Sequence, residues 1–211
     1  MDIDAESLMD TISAKRREIG IVAIVVVALG GALLLWRQSN MKKEDNAERA
    51  FQQAANAYYA GNLALARTDL QKVLDRYAGT TAGVEGAMLL AQANYQEGKW
   101  PEGIKVLETA QKSSAAGPFA ASLEALIAAG YADQKKYDEA AKHYQAASDK
   151  AQFAADKDLH RSDVARMSAL AGKKDEARKI WTELAGKPES PVWGEARVRL
   201  GELEATVATK N

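Results

Sequence analysis

Lys136-Tyr137-Asp138-Glu139-Ala140-Ala141-Lys142-His143-Tyr144-Gln145-Ala146-Ala147 decides how this chain folds. Two acids sit in its opening turn. Small Ala140 is followed four positions later by bulky Tyr144, and three positions after that by small Ala147. Those intervals put all three on one face of a helix, where neighbours fall three and four residues apart. Steps of 37 residues in either direction find the same order of sizes. Ala66, Gly103, Ala140 and Ala177 form one column, Leu70, Leu107, Tyr144 and Trp181 a second, and Val73, Ala110, Ala147 and Leu184 a third. Ala54, Ala91, Ala128 and Ala165 keep the same register upstream. Gly61, Gly98 and Gly172 share it, with Lys135 at the third site. Five columns in four copies at one fixed period mark an internal repeat.

Each copy reads as two antiparallel helices. Strong helix formers fill the chain after residue 44, and no alternating strand-like run interrupts them. The expected fold class is all-α. The expected pairs are 45–60 with 63–77, 81–97 with 100–114, 118–134 with 137–152, and 157–171 with 174–186. Gly61, Gly98 and Gly172, after three of the first helices, suit a left-handed C-cap. Pro101 falls in a first turn, where its missing N–H costs little. One pair cannot bury its apolar face alone, so the pairs must stack. A last helix over about 192–207, with Val192, Ala196, Leu200 and Leu203 along one face, serves as the cap that such an array needs.

These columns resemble the tetratricopeptide repeat. That repeat has a small residue in its first helix, a glycine after it, and a small-large-small run in its second. Gly98-Lys-Trp-Pro-Glu-Gly103-Ile-Lys-Val-Leu107-Glu-Thr-Ala110 matches well, and the stretch quoted above matches best. The departures are a longer period, Lys135 in place of glycine, and no proline at the usual repeat end in the first three copies. The resemblance covers about residues 47–186. It implies that the first helices line an inner face that holds peptides or proteins. Carried over by register, that face takes Phe51, Ala55, Tyr58 and Tyr59 in the first repeat, and Met88, Gln92, Tyr95 and Gln96 in the second. Ala125, Ala129, Asp133, Ser162, Arg166 and Leu170 follow in the distal half. Only Arg166 is basic, so no clamp for a peptide carboxylate is evident. The same aromatic and Met positions are also suited to inter-repeat core.

Ahead of the repeats lies Ile19-Gly-Ile-Val-Ala-Ile-Val-Val-Val-Ala-Leu-Gly-Gly-Ala-Leu-Leu-Leu-Trp36, without a charge. As a helix it is about 27 Å long, close to the thickness of a bilayer core. It reads as a single transmembrane anchor over 19–36, between a charged tail (1–18) and a polar stalk or first helical turn (37–46); 187–211 hold the cap and C-terminal tail. Leu33-Leu34-Leu35-Trp36 directly follows the one candidate cleavage site, which favours an uncleaved anchor over a signal peptide. Lys15, Arg16 and Arg17 cluster before it, favouring a cytoplasmic N-terminus and a periplasmic array at a bacterial inner membrane. Ile3, Leu8, Met9 and Ile12 can share a face of the tail. Ala28, Gly31 and Ala32 form a small face that another membrane helix can approach closely.

The chemistry-bearing residues are sparse. There is no cysteine, which excludes disulfides and thiolate ligands. A net charge of −1 with no basic block argues against nucleic acid. His143 and His160 lie in different copies without metal-ligand spacing and read as solvated. Asp138/Glu139 and Asp175/Glu176 open second helices, where they complement the helix dipole. No catalytic residue, metal, cofactor or small-molecule substrate is expected. The order of tail, anchor and repeat array resembles the YfgM-type family of ancillary subunits of the SecYEG translocon. That resemblance implies a scaffold or chaperone-like role beside an integral membrane protein complex, with extrinsic protein or peptide partners. The alternative is a structural accessory subunit of another large inner-membrane complex, energy-transducing or photosynthetic.

Overall fold

The computed structural model describes residues 16–208. Residues 1–15, with the amphipathic Ile3, Leu8, Met9 and Ile12 and with Lys15, lie outside that range, as do 209–211. Among the described residues the chain is helical throughout and has no strand. It divides between Asp45 and Asn46 into two units.

The first helix, α1 (Arg16–Tyr59), spans that division. It takes in the expected anchor, the expected stalk and the first repeat helix. Residues 37–46 contain no proline or glycine, so nothing in the sequence stops the helix there. In the unit before Asn46, Ile24, Val27, Leu34 and Leu35 are all exposed, and so are Ala28, Gly31 and Ala32. This stretch is long and apolar enough to cross a membrane, and none of it is buried.

The second unit is the array. After the end of α1 come α2 (Leu63–Tyr77), α3 (Thr81–Gln96) and α4 (Trp100–Ala110). A 3₁₀ turn at Gly117–Phe119 leads into α5 (Ala120–Asp133) and α6 (Tyr137–Lys150). Then follow α7 (Ala154–Leu170), α8 (Lys174–Ala185) and α9 (Trp193–Ala208). Each repeat closes its first helix the same way. Gly61, Gly98, Lys135 and Gly172 have φ of 78°, 72°, 61° and 83°, the positive-φ residues of the described chain. The next amide reaches back five residues: Asn62 to the Ala57 carbonyl, Lys99 to Asn94, Lys136 to Tyr131 and Lys173 to Ser168, at 2.8–3.0 Å. This is the Schellman arrangement, which satisfies carbonyls that a helix end leaves free. Lys135 adopts it without glycine, at a cost of about 1 kcal/mol.

The size columns become the core. Ala54, Ala91, Ala128 and Ala165 are wholly buried, and so are Ala66, Ala140, Leu70, Leu107 and Leu184. Three apolar clusters run along the array, around Leu70 and Leu90, around Leu107 and Ile127, and around Trp181. The cap follows expectation, with Val192 and Ala196 buried and Leu200 and Leu203 packed on the Trp181 cluster. Several boundaries move: α5 begins at Ala120 and not 118, α6 ends at Lys150 and not 152, α7 begins at Ala154 and not 157, and α4 ends at Ala110 and not 114. Ser113 Oγ there accepts from the Ala115 amide at 3.2 Å, a local turn that competes with continuing the helix, and donates to the Ala78 carbonyl at 2.8 Å.

Candidate protein-binding surface

α3 has two different sides. At 100° per residue, Gly83, Ala87, Leu90 and Asn94 share one, and Glu85, Met88, Gln92 and Tyr95 share the opposite one. The second is the face assigned by register to partner binding. Its exposed centre is Tyr59, at 77% exposure, with its ring edge-on to Tyr58 at 5.5 Å between centroids. Tyr58 is half-buried, and its hydroxyl accepts from Gln96 Nε2 at 2.6 Å, which ties the first two repeats together. Phe51 is half-buried on the Leu70 cluster, and Met88 on the Leu107 cluster. Gln92 is half-buried between these rows.

Tyr95 is placed differently. Its ring is wedged where a methyl group at either Gly103 or Gly130 would collide with it. Its hydroxyl donates to the Leu126 carbonyl at 3.1 Å, and burial pushes its phenol well above the ordinary range. It therefore seals the seam between repeats two and three, and offers little to a partner. Ala55 and Ser162 also turn inward, at 3% and 0% exposure. Asp133 and Leu170 are exposed, whereas Ala125 and Ala129 are half-buried. The proximal half of this face is thus aromatic and the distal half mostly small.

Arg166 is not a free cation. It pairs with Asp163 at 2.9 Å and with Glu195 of the cap at 3.3 Å. Burial raises the Asp163 carboxyl above its usual value even though Arg166 and His160 pull it down. Glu85 is the acid that register reasoning overlooked. Burial and the neighbouring Glu48 raise its carboxyl, so two acids share one patch of the proximal face. They lie 37 apart, so the repeat period itself carried that signal.

The reading of His143 as solvated is corrected. Its Nδ1 lies 2.7 Å from Glu124 Oε2, and its ring stacks on Tyr131 at 5.3 Å. Lys150 pairs with the other oxygen of Glu124. Burial pushes the Glu124 carboxyl up, but hydrogen bonds and charge from His143 and Lys150 outweigh it, and the group sits below its ordinary value. Among the described residues no group of three or more His, Asp or Glu is arranged to hold a metal ion.

Comparison with known proteins agrees with this architecture. The model of the tetratricopeptide repeat-like domain matches residues 16–191. No curated protein matches the chain. The structure of pilF from Pseudomonas aeruginosa superposes with a TM-score of 0.60 at 15% identity, covering 79% of this chain and 71% of that one. A Podosopora anserina protein with nearly identical tetratricopeptide-like repeats gives 0.61 at 15% identity, over 78% of this chain and 88% of that one. A tetratricopeptide protein of Thermus thermophilus gives 0.53 at 18% identity, over 89% and 96%. At these identities the likeness is one of fold.

Proposed function

The chain belongs to the tetratricopeptide repeat-like domain family, and we propose that it is a non-catalytic interaction module held at a membrane by Ile19–Trp36. Repeats of this kind generally serve protein–protein contact. The observation that carries the reading is the pairing, in one chain, of an apolar helical stretch whose described side chains from Ile24 to Trp36 are exposed with an array whose proximal face shows Tyr59, Tyr58, Phe51, Met88 and Gln92. An apolar patch of that extent is unstable in water and at home in lipid. Tethering raises the effective concentration of the array beside a membrane complex, so modest contacts suffice. Adaptable aromatic and Met side chains suit varied sequences.

In this reading the N-terminus is cytoplasmic, the array is periplasmic at a bacterial inner membrane, and the partner is the Sec translocon with its emerging chains or chaperones. Tyr95, Ala55 and Ser162 support the surface from within, Arg166 is held by Asp163 and Glu195, and Phe51, Tyr58, Tyr59, Met88 and Gln92 make the contact. The test is affinity purification from native membranes, with everything retained identified. Wild type should retain a translocon component, and the Phe51→Ser, Tyr59→Ser, Met88→Ser triple variant should lose extrinsic proteins. Unchanged recovery by the triple variant refutes the face.

The exposed Ala28, Gly31 and Ala32 favour a second reading, an accessory subunit packed into another membrane complex through its anchor. Ala28→Leu with Gly31→Leu then abolishes stoichiometric copurification, while leaving the proximal face intact.

A further inference from the structure

The side of α3 turned away from the proximal face carries a second surface. Gly83, Ala87 and Leu90 floor a groove walled by α2 and α4. Leu74 contributes from one wall and Val106 with Ala110 from the other, around a space of about 570 Å³. A second stretch of about 550 Å³ prolongs it past Leu90 and Asn94, sharing Gln71, Glu102 and Val106.

The repeat register shows how this groove differs from its equivalents. Ala87, Glu124 and Arg161 occupy one position at intervals of 37, as do Ser113, Lys150 and Lys187. At the second seam Glu124, on the α5 floor, binds His143 and Lys150 of the α6 wall. At the third, Arg161 binds Glu183, and Lys187 binds Asp158 at 3.0 Å. A recess of about 530 Å³ remains at the third seam, lined by those charges. At the first seam the same positions are Ala87, Val106, Thr109 and Ser113, so no ion pair ties the α3 floor to the α4 wall there; Glu97, past the end of α3, takes Arg67 of α2 and Lys99 instead.

We propose that this first groove docks one amphipathic helix of a partner protein, its apolar stripe bordered by carboxylates. The occupant is a helix because both walls are helices. An extended segment would meet no sheet edge there and would leave its own N–H and C=O groups unpaired over an apolar floor. From Glu102 to Ala110 the α4 wall runs about 12 Å, a little over two helical turns, which suits apolar anchors at i, i+4 and i+7. The acidic border follows from the rim. Lys105, on α4, and Lys112, just past its end, stand on that side seven residues apart, with no ion-pair partner among the described residues. Glu102, one turn before Lys105, limits the acidic edge to the turns beyond it. On the other wall Asp75 accepts from Gln71 at 2.8 Å and favours a base on the helix's opposite edge.

The test uses the full chain in lipid nanodiscs. The probe is a fluorescent, helix-stapled peptide of about fourteen residues, with Leu at i, i+4 and i+7 and Glu seven apart along one edge. Binding should saturate. Ala87→Arg with Thr109→Glu, which copies the Arg161–Glu183 pair into the first seam, should weaken it at least tenfold at unchanged helicity. Lys105→Glu with Lys112→Glu, an exposed pair, should weaken the acidic peptide at least tenfold and favour one with Lys at those positions. Tyr59→Ser, at an exposed site of the proximal face, should leave binding unchanged, which separates this groove from that face. Absence of saturable binding, or equal binding by the Ala87→Arg, Thr109→Glu chain, overturns the proposal. So does self-association that the same pair abolishes, which assigns the groove to a second copy.

Discussion

Between the first two repeats, α2 and α4 stand over small side chains, whereas between the last two, α6 and α8 stand over charges. The proximal seam is floored by Gly83, Ala87 and Leu90, the distal one by Lys157, Asp158 and Arg161. The backbone repeats faithfully through both, down to the Schellman turns at Gly61 and Gly172. One solenoid register therefore accepts two kinds of filling without altering its helices. The interior columns hold the stack together. Positions such as 87 and 161, on the second-helix side of each first helix, are free to make a binding surface or to close one.

The largest effect that tests this division falls on the distal core. Trp181 is 1% exposed at the centre of its cluster, and Trp181→Ala should cost about 3–5 kcal/mol in thermal or urea unfolding. A smaller loss would mean that the distal repeats rely on their ion pairs. Next comes the middle seam. Gly130→Ala drives a methyl group into the Tyr95 ring and should cost about 1–3 kcal/mol. In a Tyr95→Phe background that cost should shrink, because the hydroxyl is among the atoms it meets, and a double-mutant cycle measures the coupling.

Glu124→Gln should follow, at about 1–3 kcal/mol near neutral pH, because His143 and Lys150 lose a charged acceptor. Its pH dependence has a definite sign. The folded carboxyl lies below its ordinary 4.5, so its stabilisation is complete above that value and is lost as pH falls through the lower folded value. Wild type should therefore lose stability more steeply than Glu124→Gln below pH 4.5 in acid unfolding followed by circular dichroism. The smallest effect is at the distal rim. Arg161→Ala should cost under about 1 kcal/mol, since its partner Glu183 is largely solvated, and salt should reduce that further.

Much of this was legible from residue sizes. The period of 37 located the helix pairs and the small-residue columns, because packing between stacked pairs constrains size at fixed intervals, whereas the left-handed turn at Lys135, where the glycine is missing, was not legible. The contacts between columns were not legible. Gly103 and Gly130 are small for the sake of Tyr95, from a third helix, and no spacing links the three. His143 read as solvated because its acid, Glu124, lies on the preceding helix and meets it only once the pair folds. The proximal groove escaped notice because its defining feature is missing charge, visible only when the three seams are set side by side. The continuous α1 was hidden by the polarity of residues 37–46, which resembled a stalk while containing nothing to end a helix.

The claim that the proximal first-helix face is where this tethered array meets its partners is tested most directly by photocrosslinking in native membranes. A benzophenone amino acid placed at Tyr59 or Gln92 should crosslink protein partners that the same probe at Lys72, on a second helix, does not reach. Equal partner recovery from Lys72, or none from Tyr59 and Gln92, would contradict it.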